Sequence, residues 1–405
     1  MFHFAGKLEH LLAPANYFQP EWHEREVAEV FRRSWNFFCL ASDVAAPGDR
    51  FAAEVYGVPV VVFNHGGELF AVRNVCGHRH SLIVKEGPSC GKVLKCQIHG
   101  WEYDHCGRLT GMPDGRHFRV VKAGEFALGS FRVERSGPFV FINLASEGPS
   151  FRETLGDLAE EFESHYRDHR LVDTWVTEHD VNWKIMVENA VESYHVPMVH
   201  PRTFEDYRPE DQHEHLLAPT FTRYRDLLPY DAEKGLVPLG FRLYTKWLIR
   251  NPNFRRFTHT HLFPNMMLYY GDIFSGISII QPLGPERTRY IAHGFVPRAI
   301  YGGWLGRIVQ DLSMVLYLRM GKKIVGEDIA LWPPVQKGLK ASPHKGVISA
   351  REERVYAFQR YLVDQMNGRA GAGNGREDGP SETIVPSNGT TAFCSAETPA
   401  CPHSP

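Results

Sequence analysis

Val75–Trp101 reads V-C-G-H-R-H-S-L-I-V-K-E-G-P-S-C-G-K-V-L-K-C-Q-I-H-G-W, and both of its ends carry ligand-type side chains. Cys76 and His78 form a Cys-x-His pair, and Cys96 and His99 a Cys-x-x-His pair, with 17 residues between His78 and Cys96. Each pair sits in a short turn from which two side chains can reach one metal site. Two thiolates and two imidazoles can hold a zinc ion. They can equally hold a [2Fe–2S] cluster, with Cys76 and Cys96 on one iron and His78 and His99 on the other. Zinc asks for no particular neighbours. Here Gly77 lets the first turn close tightly, Gly100 and Trp101 follow the last ligand, and β-type runs flank both loops.

Outward from this stretch the chain is β-rich. FAAEVY, VPVVVFN, ELFAVRN, KVLKC, HFRVV, FRVER and PFVFINL follow one another from Phe51 to Leu144, most of them punctuated by Gly, Asn or Pro. That spacing predicts an antiparallel all-β domain with the two ligand pairs in two of its loops. The combination resembles the Rieske iron–sulfur proteins. The resemblance implies a [2Fe–2S] cluster on Cys76, His78, Cys96 and His99, fed with electrons by a flavin or a ferredoxin. His80 and Tyr103 are candidates for hydrogen bonds to the cluster and its ligands; a surface histidine and a core aromatic are the alternatives.

The chain has 405 residues, which favours two domains. A hydrophobic fraction of 43% and a charged fraction of 23% fit a soluble globular protein. The net charge of −2 gives no reason to expect nucleic acid as a partner. No apolar run reaches the roughly 18 residues of a membrane span, and the N-terminus does not read as a signal peptide. Seven cysteines, an odd and sparse count, suit a reducing, cytoplasmic compartment rather than a disulfide framework. Cys39, Cys90, Cys106, Cys394 and Cys401 read as ordinary thiols.

Before the β domain, residues 21–38 carry Val27, Val30 and Phe31 at helical spacing, within a lead-in of residues 1–37. The β domain is expected over 38–148. A helix is expected over 151–165. An α+β domain then runs over 149–366, in which THTHLFPNMMLYY, GISIIQPL and TRYIAHGFVP read as neighbouring antiparallel strands and 303–332 and 350–366 as helices. Residues 367–405 are rich in Gly, Ser, Thr, Pro and Asn and read as a disordered tail.

Within the α+β region, N-W-K-I-M-V-E-N-A-V-E-S-Y-H-V-P-M-V-H spans residues 182–200. Glu188, Glu192 and His195 stand four and three apart, one face of a helix. Pro197 is expected to bend that helix after His195, so that His200 can converge with it. A solvated acidic helix face is the plain alternative. The pattern N-W-K followed by E-N-x-x-E-x-Y-H-x-x-x-x-H resembles the catalytic helix of Rieske non-haem iron oxygenases, and with the cluster motif the resemblance covers residues 17–366.

That resemblance implies an all-β Rieske domain before a helix-grip α+β catalytic domain with an antiparallel sheet. It implies that His195 and His200 bind a mononuclear Fe(II), with Asp328 of G-E-D-I-A-L-W-P-P as the third ligand and Glu327 as the rival. Such 2-His-1-carboxylate sites leave positions open for O₂. Glu192 matches the family's bridging carboxylate between a cluster histidine and an iron-bound histidine, and Asn189 is a further candidate catalytic residue. Glutamate at the bridge is similar to the oxygenases of carnitine, betaine and other quaternary amines; most ring-hydroxylating members carry aspartate. The chain departs from the amine oxygenases at Ser193 and Val196, where they tend to have cysteines. Tyr269 and Tyr270 are candidates to line the substrate cavity, with strand alternation turning at least one of them away.

The implied activity is that of the oxygenase component of a mono- or dioxygenase, hydroxylating or oxidatively demethylating a small aromatic or quaternary-amine substrate. NADH or NADPH acts only through a separate reductase or ferredoxin, because the chain has no G-x-G-x-x-G fingerprint and no second cysteine set. A homotrimer is implied. The rival from another class is a Rieske electron carrier without oxygen chemistry of its own.

Overall fold

A computed structural model describes residues 3, 8–201, 213–225, 257–271, 274–298 and 303–368. The expected tail beyond residue 368 lies outside the described residues. The chain enters through α1 (Pro20–Glu29) and a 3-10 turn at Phe31–Arg33. The expected helix over 21–38 therefore stops short. The Asn36 amide donates to the Phe31 and Ser34 carbonyls, both at 2.8 Å, and turns the chain into a strand. The buried face of α1 is also not purely apolar: Glu26 is fully buried there.

The first domain holds β1 (Asn36–Leu40), β2 (Asp49–Val55), β3 (Val58–His65), β4 (Glu68–Arg73), β5 (Gly87–Cys90), β6 (Leu94–Lys95), β7 (Glu102–Tyr103), β8 (Leu109–Gly111), β9 (Ser130–Ser136) and β10 (Phe139–Asn143). Seven of them form an antiparallel sheet in the order β1-β10-β9-β4-β3-β2-β5, and β6-β7-β8 form a small second sheet. KVLKC shrinks to the two residues of β6. HFRVV is not a strand: Val120 is 93% exposed and no sheet partner covers it.

A helical stretch follows as α2 (Phe151–Leu155) and α3 (Ala159–Arg167), and Ser150 and Glu153 close a capping box at its start. The second sheet contains β11 (His169–His179), β12 (Glu214–Leu217), β13 (Phe221–Arg225), β14 (Thr258–Leu262), β15 (Met266–Tyr270), β16 (Ser275–Gly284) and β17 (Arg287–Pro297). Its order is β11-β17-β16-β15-β14-β13-β12, all antiparallel. Among the described residues the helices of this domain are α4 (Trp183–Val191), α5 (Val196–Val199), α6 (Gly303–Ile329), α7 (Trp332–Ala341) and α8 (Glu353–Met366). The expected helix over 303–332 is thus two helices that break at residues 330–331.

Strand alternation sorts the second sheet into two faces. Leu268, Tyr270, Ile277, Ile279 and Phe295 pack with Trp35, Phe139 and Phe141, joining the two sheets in one core. On the other face, Met267, Ile280 and Tyr290 pack beneath Trp183, Met186 and Val187 of α4 and Phe358 of α8. Tyr269 stands on the α4 side and Tyr270 on the far side. The lead-in belongs to this core as well: Phe31 meets Trp183 edge-on, with ring centroids 4.9 Å apart. Lys184 and Glu26, both fully buried, pair at 2.7 Å.

Candidate metal centres

The loops of the first domain build the same turn twice. In each, the cysteine amide donates to the carbonyl five residues on, Cys76 to Ser81 and Cys96 to Trp101, both at 2.8 Å. The amide four residues on donates back to the cysteine carbonyl, His80 to Cys76 and Gly100 to Cys96, both at 3.0 Å. The residue at that fourth position has a left-handed backbone, φ 70° at Gly100 and φ 59° at His80. His80 therefore serves the turn, and its exposed side chain is not what ties it to the loop. Gly77 is needed for space: a Cβ there would overlap the Phe126 ring.

Cys76 and Cys96 are buried. The rings of His78 and His99 lie 4.5 Å apart at 73°, and His78 stacks on Trp101 at 5.1 Å. His78 Nδ1 is buried without a hydrogen-bond partner, which suits an atom that binds a metal. The Tyr103 hydroxyl lies 3.2 Å from Cys76 Sγ and accepts the Gly77 amide at 3.0 Å. Burial, then its bond to Cys76, pushes the Tyr103 phenol up. Tyr103 is thus both a core aromatic and a neighbour of a candidate ligand. A single zinc would gather all four donors on a tetrahedron with edges under about 4 Å, given bonds of about 2.0–2.3 Å. Among the described residues, the group of three such donors within 4.8 Å of one another is elsewhere, at His195, His200 and Asp328. Two buried thiols beside two neighbouring imidazoles are the donor types of a Rieske [2Fe–2S] cluster.

The second centre begins at α4. The Asn182 side chain caps the helix by accepting the Lys184 amide at 3.0 Å. The helix ends at Val191, and Glu192 is extended, φ −115° and ψ 161°. This corrects the expectation that Glu188, Glu192 and His195 share one helical face with a bend at Pro197. The Glu192 carboxylate accepts the backbone amides of Tyr194 and His195, an alternative to helix continuation. Pro197 falls in the first turn of α5, where a missing amide costs nothing. Glu188 points away to the lead-in. It accepts from the Tyr17 hydroxyl at 2.7 Å and the Gln359 amide at 2.8 Å, and burial pushes its carboxyl up.

His195 and His200 stand at the two ends of α5, ring centroids 5.4 Å apart. Asp328 Oδ1 lies 3.1 Å from His200 Nε2 and 3.5 Å from His195 Nε2. The other ring nitrogens each meet a carboxylate. His195 Nδ1 bonds Glu192 Oε1, and His200 Nδ1 bonds Glu327 Oε2 at 2.7 Å. Carboxylates so placed orient metal-binding imidazoles and raise their basicity. Burial alone would lower the His195 pKa; the bonds to Asp328 and Glu192 outweigh it and raise it to about 9. The pocket draws positive charge, as a cation site must. Asp328 is thus the acid that converges with the two histidines, and Glu327 sits behind His200, a place the sequence pattern does not reveal.

Asn189 donates toward this group: its Nδ2 lies 3.4 Å from both His195 ring nitrogens and 3.5 Å from Asp328 Oδ1. His105 stacks on His65, and His259, His261 and His293 are buried in the second domain.

Residues 166–368 match the family described as the ring hydroxylating alpha subunit (catalytic domain), and residues 34–123 match the Rieske [2Fe-2S] domain. The carnitine monooxygenase oxygenase subunit of Acinetobacter pittii is 28% identical over 204 residues, 49% of this chain and 54% of that protein. The glycine betaine monooxygenase oxygenase subunit of Chromohalobacter salexigens is 29% identical over 248 residues, 59% of this chain and 54% of its own length. The chain spans about half the length of these two relatives. The chloroplastic choline monooxygenase of Spinacia oleracea is 23% identical over 86% of this chain and 77% of its own. Among solved structures, a quaternary ammonium Rieske monooxygenase in complex with L-carnitine superposes with a TM-score of 0.71 at 22% identity, covering 89% of this chain and 96% of that one. Naphthalene 1,2-dioxygenase with indole bound gives 0.67 at 19%, covering 89% and 94%.

Proposed function

The chain belongs to the ring hydroxylating alpha subunit family and carries a Rieske [2Fe–2S] domain, and from that premise we propose that it is the oxygenase component of a Rieske non-haem iron system acting on a small quaternary amine. The single observation that carries this reading is the convergence of His195, His200 and Asp328, with a carboxylate behind each histidine. In this reading Cys76, His78, Cys96 and His99 hold the cluster, and the three converging side chains hold a mononuclear Fe(II). The bound metals would supply one-electron transfer and O₂ activation.

The protein's own residues do the rest. Glu192 takes the Nδ1 proton of His195 in a hydrogen bond, so Nε2 is left to face the metal. Glu327 does the same for His200. Asn189 donates to Asp328. Trp175, Tyr269 and Tyr290 stand on the sheet face that α4 covers, and aromatic faces attract a quaternary ammonium. A glutamate at position 192 and the relatives named for carnitine, betaine and choline support the amine over an aromatic ring.

The electrons come from a separate reductase or ferredoxin, with NADH or NADPH as their source. The working assembly is a homotrimer in which the cluster of one subunit serves the iron of the next. Exposed apolar side chains beside each centre support such a contact: Ile98 and Val120 near the cluster, Tyr194 and Met198 near the iron site. Among the described residues no helix is long and apolar enough to cross a membrane.

Oxygen consumption with a generic reductase, across a panel of quaternary amines and aromatic acids, tests the reading. Amine-dependent uptake that vanishes in His195→Ala while the red-brown colour persists is the expected result. Two irons per chain instead of three, with no uptake, would leave an electron carrier.

A further inference from the structure

The amide of Asn189 has one oxygen and one NH₂, and its orientation decides what the mononuclear site meets. The Trp332 indole settles it. Indole Nε1–H only donates. It lies 2.7 Å from Asn189 Oδ1, so the oxygen must face Trp332. The NH₂ is then turned toward His195 and Asp328. Of the atoms it approaches, His195 Nδ1 already bonds Glu192, and His195 Nε2 is the nitrogen left for the metal. Only Asp328 Oδ1 has an accepting lone pair to spare.

Trp332 is held as firmly as the ligand it serves. It is 4% exposed and packs in the core beneath α4, with His179 edge-on at 5.1 Å. It opens α7, where Pro333 and Pro334 stiffen the first turn. The Leu331 amide donates to the Asp328 carbonyl at 2.9 Å and ties the end of α6 to the start of α7. The ligand carboxylate and the indole that sets its amide partner therefore sit on one hydrogen-bonded corner, while Asn189 itself is on α4.

We infer that Trp332 is a positioning residue of the mononuclear site: its indole N–H fixes the Asn189 amide so that it donates to Asp328 and cannot offer its own oxygen to the metal. A donor on Oδ1 uses that oxygen's second lone pair and holds the carboxylate in one orientation, which keeps the remaining positions free. The inference rests on the mononuclear-site reading above.

Trp332→Phe removes the N–H and keeps an aromatic ring in the core. Asn189→Ala, at a half-buried position, removes the amide and leaves Trp332 in place. Two readouts on full-length holoprotein separate positioning from packing: the EPR line shape of the nitric oxide adduct of the mononuclear iron, and the rate at which a chelator strips that iron. The cluster's visible spectrum reports folding. Trp332→Phe is expected to alter the line shape and to speed iron loss about tenfold, the lower end for partners of metal ligands. Asn189→Ala should do the same, and the double variant should be no worse than Asn189→Ala alone, because the indole acts through the amide. A wild-type line shape in folded Trp332→Phe, or additive losses in the double variant, would overturn the inference. If Trp332→Phe does not fold, an unchanged line shape in Asn189→Ala overturns it as well. A wild-type protein with no nitrosyl signal would instead remove the mononuclear site, and this inference with it.

Discussion

Lys184→Met should destabilise the catalytic domain far more than a core methionine normally does. Lys184 Nζ and Glu26 Oε1 meet at 2.7 Å with neither side chain exposed. Burial lowers the Lys184 pKa, and Glu26 opposes that shift. Removing the ammonium leaves Glu26 with two indole donors, Trp22 at 2.9 Å and Trp183 at 2.8 Å, and an uncompensated charge in the core. Breaking a buried pair from one side costs about 3–5 kcal/mol. For a domain of this size each kcal/mol moves Tm by about 2–4 °C, so a fall of roughly 10 °C is expected. Adding Glu26→Gln removes the second charge but leaves one indole N–H unpaired. The double variant should therefore recover most of the loss and remain about 1–2 kcal/mol below wild type. Thermal scans followed by far-UV circular dichroism measure this, and the cluster absorbance follows the first domain separately. A Lys184→Met protein that melts within a degree of wild type would refute the argument, because the charge would then be solvated or neutral.

Three further outcomes follow from the geometry. Asp328→Ala should lose the mononuclear iron, whereas Glu327→Gln should keep it with affinity lowered about 10- to 100-fold; iron analysis after dialysis distinguishes them, and equal loss in both would remove the distinction drawn between ligand and partner. His80→Gly should be tolerated, but His80→Val should destabilise the first domain and speed cluster bleaching, since a β-branched residue resists the left-handed backbone there; equal bleaching rates would count against the turn's role. Acid should destabilise the fold before the carboxylates titrate: burial holds His165 and His261 down to about 3 and His169 and His293 to about 4. The unfolded chain protonates them near 6.5, so stability is full above that pH and falls below it, each histidine adding a slope of up to about 1.4 kcal/mol per unit. Urea midpoints at pH 7.5 and 5.5 test this, and identical midpoints would refute it.

The cluster loops were legible from sequence because they are local. The backbone hydrogen bonds that close each turn span five residues or fewer, from Cys76 to Ser81 and from Cys96 to Trp101, so ligand spacing and turn geometry are one fact; the Gly77 amide bond to Tyr103 is the long-range addition. The strands β14 to β17 were legible for a similar reason: they are β-branched and aromatic runs bounded by Pro and Gly, and their burial on both faces explains why they do not alternate strictly. HFRVV carries the same β-type composition without a partner strand, and there composition misled. The end of α4 was not legible either: helical spacing continues through Glu192 and His195, and only a carboxylate free to cap the next turn shows why the helix stops. The choice between Glu327 and Asp328 needed the tertiary structure, because neighbours in a chain differ only in direction. One reaches both histidines and the other the back of His200, across some 130 positions of sequence. The Trp332 contact with Asn189, 143 residues apart, is of the same kind. Sequence carried which atoms can bind metal; the meeting of α4 and α5 with the corner between α6 and α7 decided which of them do so together and which stand behind.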